Sequence, residues 1–241
     1  MLFTTNAVSE EHTIDLGLTN KSLRHFNYRP HVKSPIKKSV HIEGIDRSYY
    51  VFFPKNVEAV MPVLVALHGA GRSGLSMVDT WQTNADKHSF IIVAPDGLNG
   101  NWEIQRDEAS FITAAIKDAL SQRKIKSAKI YLFGHSNGAK QAIAQAARHP
   151  GMFHKVAAHA GTLPLKIDKS IVNVSPKSVK VAMFLGDSDH IFSVESGHQT
   201  VRWLSSIGIE SDYYILKDHS HWYYKDAHRI NESIWSFLSK I

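Results

Sequence analysis

The chain of 241 residues contains no cysteine, which excludes disulfide bonds, thiolate metal sites and a cysteine nucleophile. Long apolar runs are also missing: a stretch such as Val60 to Leu67 is far too short to span a bilayer, so no membrane anchor is expected. The first residues, Met1 to Thr5, lack the basic region and apolar core of a secretory signal. No set of His, Asp and Glu has metal-ligand spacing. His154 and His159 lie five apart, and His219 and His221 have no third ligand nearby. Neither a G-x-G-x-x-G string nor a Walker pattern with its lysine occurs, so no nucleotide or other cofactor is expected. The formal charge is only +6, and Lys and Arg are scattered, with Lys37-Lys38 and the group Arg123, Lys124, Lys126 the densest. That distribution reads as a solvated surface rather than a nucleic-acid face.

With hydrophobic residues at 43% and charged residues at 21%, the composition suits a folded globular domain, and no repeat or low-complexity linker divides it. Residues 1–36 are polar, weakly periodic and end in Pro30 and Pro35; they read as an N-terminal extension that wraps the domain or is partly disordered. The domain proper is expected over 37–241, with the chemistry beginning there. Lys38 to Glu43 and Arg47 to Phe53 read as antiparallel strands about a turn at Gly44, followed by a buried strand at Val63 to Leu67. Further strands are expected at 90–94, 129–133, 155–159, 179–185 and 212–216. Helices are expected at about 75–88, 108–122, 138–148, 195–207 and 226–239. Such alternation defines an α/β class: a mostly parallel central sheet with helices on both faces and active groups on loops at the C-terminal ends of the strands.

One string stands at such a loop. Gly134-His135-Ser136-Asn137-Gly138 lies between the strand run Lys129 to Phe133 and a helical run in which Ala139, Ala142, Ile143, Ala146 and Ala147 repeat at helical spacing before Pro150. A sharp turn of this kind forces its central serine into a strained backbone, and small residues two before and two after let strand and helix approach. Ser136 is the candidate nucleophile. A helix-capping serine in a Gly-bounded turn is the plainer alternative.

A serine hydroxyl attacks only when an imidazole takes its proton and a carboxylate holds that imidazole. On sheets with this turn the chain order is serine, acid, histidine. The run Val181 to Leu185 ends in Gly186-Asp187-Ser188-Asp189, placing two carboxylates at a strand end. Asp189 is preferred as the acid, because Asp187 is better placed to stabilise the turn itself. The last strand leads into Lys217-Asp218-His219-Ser220-His221-Trp222. His219 is preferred as the base for its short reach from the strand, with His221 as the alternative. An oxyanion needs amide donors already aimed at it. The loop Leu67-His68-Gly69-Ala70-Gly71 and the residue after the serine supply Ala70 and Asn137 as candidate donors.

Taken together, LHGAGRSG (67–74), APDGLNGNWE (94–103), DEASFI (107–112), IYLFGHSNGA (130–139), FHKVAAHAG (153–161) and GDSD (186–189) resemble the polyhydroxybutyrate depolymerase and feruloyl esterase group of α/β-hydrolases, which belongs with the first carbohydrate esterase family. The resemblance covers about residues 40–240. It implies an α/β-hydrolase fold, Ser136 as nucleophile, Asp189 as acid, and Ala70 and Asn137 as oxyanion donors. Members of the group usually carry a Gly-rich segment, the histidine, one residue and then Trp; here Asp218 stands in place of the glycine, and Trp222 lies three after His219 and one after His221. The activity implied is cleavage of carboxylic esters, small or polymeric, through an acyl-enzyme. A serine peptidase or thioesterase on the same scaffold, and a binding protein that has lost turnover, are the competing readings. Trp102 and Trp222, with Tyr223 and Tyr224, are expected to offer aromatic surface to the substrate. Membership also implies export to the periplasm or medium, with a cytoplasmic place as the alternative; the oligomeric state is open.

Overall fold

The computed structural model describes residues 9–33, 35–164, 172 and 179–240. Its centre is a nine-stranded sheet. In chain order the strands are β1 (Ser9–Ile14), β2 (Ile36–Ile42), β3 (Ile45–Phe52), β4 (Val60–Leu67), β5 (Ile91–Pro95), β6 (Lys126–His135), β7 (Lys155–His159), β8 (Lys180–Gly186) and β9 (Ser211–Leu216). The helices are α1 (Gly74–His88), α2 (Ala109–Ser121), α3 (Asn137–Arg148), α4 (Val194–Ser206) and α5 (Tyr223–Ser239). Across the sheet the order is β1-β9-β8-β7-β6-β4-β5-β3-β2. All neighbours run parallel except β3, which is antiparallel to β5 and β2.

The period-2 geometry of a strand explains how one apolar run serves two cores. In β4, Val63, Val65 and Leu67 pack into one layer with α2, α3 and α4, while Leu64 and Ala66 pack into the other with α1 and α5. Both faces are therefore covered, which is why the central strands read as continuous hydrophobic runs. The β2–β3 hairpin turns at Glu43 and Gly44, both with positive φ (53° and 80°), the backbone that a tight two-residue hairpin requires.

β1 differs from expectation. Ser-Glu-Glu-His-Thr-Ile is polar and its side chains are exposed or half-buried, so no hydrophobic signal marks it, yet it pairs in parallel with β9 from Ser9↔Ser211 to Ile14↔Leu216. The chain then crosses the domain surface: Leu18 enters the α5 layer, and the Tyr28 ring stacks on Tyr224 at 4.2 Å. The parallel strands β4, β6, β7, β8 and β9 all end on one edge of the sheet, and the loops that follow them meet there.

Candidate active site

Ser136 occupies the turn between β6 and α3 with φ 53° and ψ −114°, a conformation unfavourable for a residue with a Cβ. Two glycines make it possible. A Cβ on Gly134 would strike the backbone of Gly138, and one on Gly138 would strike the carbonyls of Leu67 and His68, so no larger residue lets α3 start this close to β4 and β6. The Ser136 N–H donates to His159 O at 2.8 Å, which ties the turn to the end of β7.

The acid comes from the loop after β8. The Asp189 side chain is fully buried, its Oδ1 accepting from the N–H groups of Ile191 (2.8 Å) and Phe192 (3.0 Å). Burial alone would raise the carboxyl's pKa, but the hydrogen bond and charge of His221, with these two amides, outweigh it and hold Asp189 below the ordinary carboxylate value. Asp187 faces outward and works locally: Oδ1 accepts from Ser188 Oγ and Oδ2 from the Asp218 N–H.

The histidine nearest the serine is His221. Its Nε2 lies 3.0 Å from Ser136 Oγ and its Nδ1 2.9 Å from Asp189 Oδ2. The preference for His219 is corrected by this geometry. Asp218 sits in the left-handed region (φ 55°), and the chain so turned directs His219 inward, where it is fully buried. Its Nδ1 faces Asn20 Oδ1 at 3.1 Å and its Nε2 faces His159 Nε2 at 3.1 Å, leaving neither nitrogen for Ser136. Burial lowers the pKa of its ring to about 4. The spacing to Trp222 does not separate the two: against the pattern of the resembling group the tryptophan lies one residue too far from His219 and one too close to His221.

The candidate oxyanion donors flank this arrangement. Asn137 is the first residue of α3, so its N–H has no intrahelical acceptor and sits at the positive end of the helix dipole. Ala70 lies in the exposed part of the β4–α1 loop, whose shape is set by Gly71 N donating to Gly100 O (2.9 Å) and Arg72 N to Gly69 O (3.2 Å). Beneath it His68 is buried, with Nδ1 donating to Gly69 O (2.8 Å) and Nε2 accepting from Gly97 N (2.9 Å). Burial lowers its pKa, consistent with a neutral ring that donates at one nitrogen and accepts at the other.

Trp102 does not offer its ring to a ligand, contrary to expectation. The residue is 4% exposed, and its indole N–H donates to His68 O at 3.0 Å. The cause lies in Asn137, whose side chain grips the Trp102 backbone twice, accepting from its N–H (2.6 Å) and donating to its carbonyl (3.0 Å). Further down α3, Gln141 donates to Arg106 O and Arg148 to Ile104 O, so one helix face clamps the 102–106 loop. Trp222 is only partly buried, its ring 5.8 Å from that of His25 and 6.4 Å from that of His190. The Phe192 ring lies 5.7 Å and the Trp222 ring 6.1 Å from the ring of His221. Much of the stretch 161–178, between β7 and β8, lies outside the described residues. No group of His, Asp and Glu among the described residues could hold a metal ion, and no described helix is long and apolar enough to cross a membrane.

A parallel sheet covered on both faces, a serine on a strained strand-to-helix turn, and a histidine joining it to an acid after a later strand define an α/β-hydrolase with a Ser–His–Asp arrangement. The chain belongs to the Esterase family, whose model matches residues 42–226. Over 130 residues it is 30% identical to an acetylxylan esterase of Coprinopsis cinerea, a match covering 48% of this chain and 35% of that protein. Over 125 residues it is 26% identical to feruloyl esterase B of Thermothelomyces thermophilus, covering 46% of this chain and 43% of that one. The match thus spans less than half the length of these curated relatives. Among solved structures, a poly(3-hydroxybutyrate) depolymerase from Bordetella parapertussis shares the fold with a TM-score of 0.62 at 17% identity, over 84% of this chain and 90% of the other. These are proteins of the group that the sequence blocks resemble.

Proposed function

We propose that the protein is a serine carboxylic-ester hydrolase that works through an acyl-enzyme. The observation that carries the reading is the unbroken line Ser136 Oγ, His221, Asp189, with contacts of 3.0 and 2.9 Å. Ser136 Oγ attacks the ester carbonyl while His221 Nε2 takes its proton, and the carbonyl oxygen becomes an oxyanion facing the N–H groups of Ala70 and Asn137. The tetrahedral adduct collapses, the C–O bond to the alcohol breaks, and His221 returns the proton to that alcohol. Water then attacks the acyl-enzyme, giving its proton to His221, and the acid departs as Ser136 recovers its hydrogen. Asp189 stabilises the imidazolium in both halves and remains ionised, in keeping with its lowered pKa.

The Esterase family match supports an ester as the bond cleaved, and relatives named as acetylxylan and feruloyl esterases support substrates borne on polysaccharide. The rings of Trp222 and Phe192 beside His221 suit an aromatic or extended acyl group. Polymers of this kind do not enter cells, so the reading carries action outside the cytoplasm. The hydrogen-bonded triad favours turnover over a binding role alone.

The test is hydrolysis of p-nitrophenyl acetate by the wild type and Ser136→Ala. The variant should fold normally and lose turnover by roughly 10⁴-fold or more. Retained turnover contradicts the assignment, and a stronger rate on aminoacyl amides than on esters would move the protein to the peptidases.

A further inference from the structure

Beneath the triad lies a second line of side chains that the reaction does not use. His135 Nδ1 is 3.0 Å from His159 Nδ1, His159 Nε2 is 3.1 Å from His219 Nε2, and His219 Nδ1 is 3.1 Å from Asn20 Oδ1. All three rings are buried, at 3%, 0% and 0% exposure. Tyr223 covers them from α5, its ring 4.9 Å from His135 and 5.2 Å from His159.

The proton positions along this line follow from one fixed end. Asn20 Oδ1 accepts from the Ser220 N–H at 2.7 Å, and a backbone N–H can only donate, so that atom is the oxygen. Its amide nitrogen in turn faces two acceptors, Asp226 Oδ2 at 2.5 Å and Trp222 O at 3.4 Å. His219 must then donate through Nδ1. Burial holds all three rings neutral, each pKa lying below the ordinary histidine value. His219 therefore accepts at Nε2, His159 donates through Nε2 and accepts at Nδ1, and His135 donates through Nδ1. The tautomers alternate: Nδ1–H, Nε2–H, Nδ1–H.

Each member also holds a triad loop, the histidines through their backbone and Asn20 through its side-chain amide. His135 directly precedes Ser136, and His159 O accepts the Ser136 N–H. His219 O accepts the N–H of Ser188, next to Asp189, at 3.0 Å. Asn20 reaches Trp222 O, directly after His221.

We propose that Asn20, His219, His159 and His135 are positioning residues, a chain of directed hydrogen bonds that sets the nucleophile, acid and base loops against one another, with the N-terminal segment fixing its direction. The proposal rests on the hydrolase reading for its consequence, but its geometry does not. Neutral rings that can donate at only one nitrogen impose a single mutual arrangement on three loops. A triad displaced by an ångström can lose on the order of 10²-fold in rate.

The experiment is long-range 1H–15N correlation of the histidine side chains in the full protein near neutral pH, assigned with single His→Gln variants. The expected result is a proton on Nδ1 of His219 and His135 and on Nε2 of His159. A proton on Nε2 of His219, or averaged tautomers throughout, overturns the proposal, whether or not any ester is turned over. In the rate arm, Asn20→Leu should lower kcat by roughly 10- to 100-fold with KM changed less than about threefold. An unchanged kcat in Asn20→Leu contradicts the positioning role. If Asn20→Leu does not fold, the wild-type spectrum alone decides. Loss of fluorophosphonate labelling at Ser136 in the wild type would refute the hydrolase reading while leaving the tautomer pattern intact.

Discussion

Two histidines stand two residues apart on one loop and meet opposite surroundings. His221 has a carboxylate, Asp189, on one nitrogen and the Ser136 hydroxyl on the other. His219 has an amide oxygen, Asn20, on one side and another imidazole on the other. A carboxylate stabilises the charged ring and so equips it to take a proton in passing. An amide oxygen accepts the ring's hydrogen bond and adds no charge, so a ring buried against it stays neutral and keeps one tautomer. The group behind each ring, more than the ring's distance from the strand, separates a base from a framework residue.

The comparison can be broken at the carboxylate side first. His221→Ala removes the proton acceptor and should lower kcat on p-nitrophenyl esters by roughly 10⁴-fold or more, whereas His219→Ala should act mainly on stability, with rate losses confined to about 10²-fold. Kinetics with parallel thermal melts distinguish the two, and equal rate losses would erase the distinction. Asp189→Asn leaves an amide where the charge stood, turning the environment of His221 into that of His219. The expected fall in kcat is about 10³- to 10⁴-fold with little change in KM, read from steady-state rates near neutral pH.

A third test uses pH. A histidine whose folded pKa is depressed binds fewer protons folded than unfolded, so its stabilising contribution is complete above the ordinary value of 6.5 and is lost as pH falls. For His219 the window runs from 6.5 down to about 4. His159 and His135 act in the same direction. The charged and titratable groups around them are Asp189, Asp187, Arg72, Tyr223, Tyr224 and His221. Urea unfolding at pH 7.5 and pH 5 should show lower stability at pH 5, and the difference should shrink in His159→Phe. Equal stability at both values contradicts the buried neutral chain. The smallest effect is expected at Asn137→Ala, which keeps the backbone donor but frees Trp102. A loss of about 1–2 kcal/mol in stability, with KM altered more than kcat, is the expected outcome in melts and kinetics.

The legible part of this fold was the part written in local patterns. Eight of the nine described strands carried apolar runs or an apolar–polar alternation bounded by turn residues, and Ser136 stood between two glycines at a strand end. Asp189 could be preferred to Asp187 because one sits where the turn is made and the other beyond it. What escaped depended on partners far along the chain. β1 is a polar edge strand whose only cue is its pairing with β9, about 200 residues away. His219 is turned inward by the positive φ of Asp218 and held by Asn20, and nothing within its own segment announces either. Trp102 looks like a binding aromatic until the grip of Asn137 on its backbone is seen. The N-terminal segment, expected to precede the chemistry, supplies the amide at the end of the buried chain.

The most direct measurement is fluorophosphonate labelling with peptide mapping on wild type, His221→Ala and His219→Ala side by side. The expected result is label on Ser136 in the wild type, little or none in His221→Ala, and slower but clear labelling in His219→Ala. Loss confined to His219→Ala, or no label on the wild type, would contradict the assignment of His221 as the base that activates Ser136.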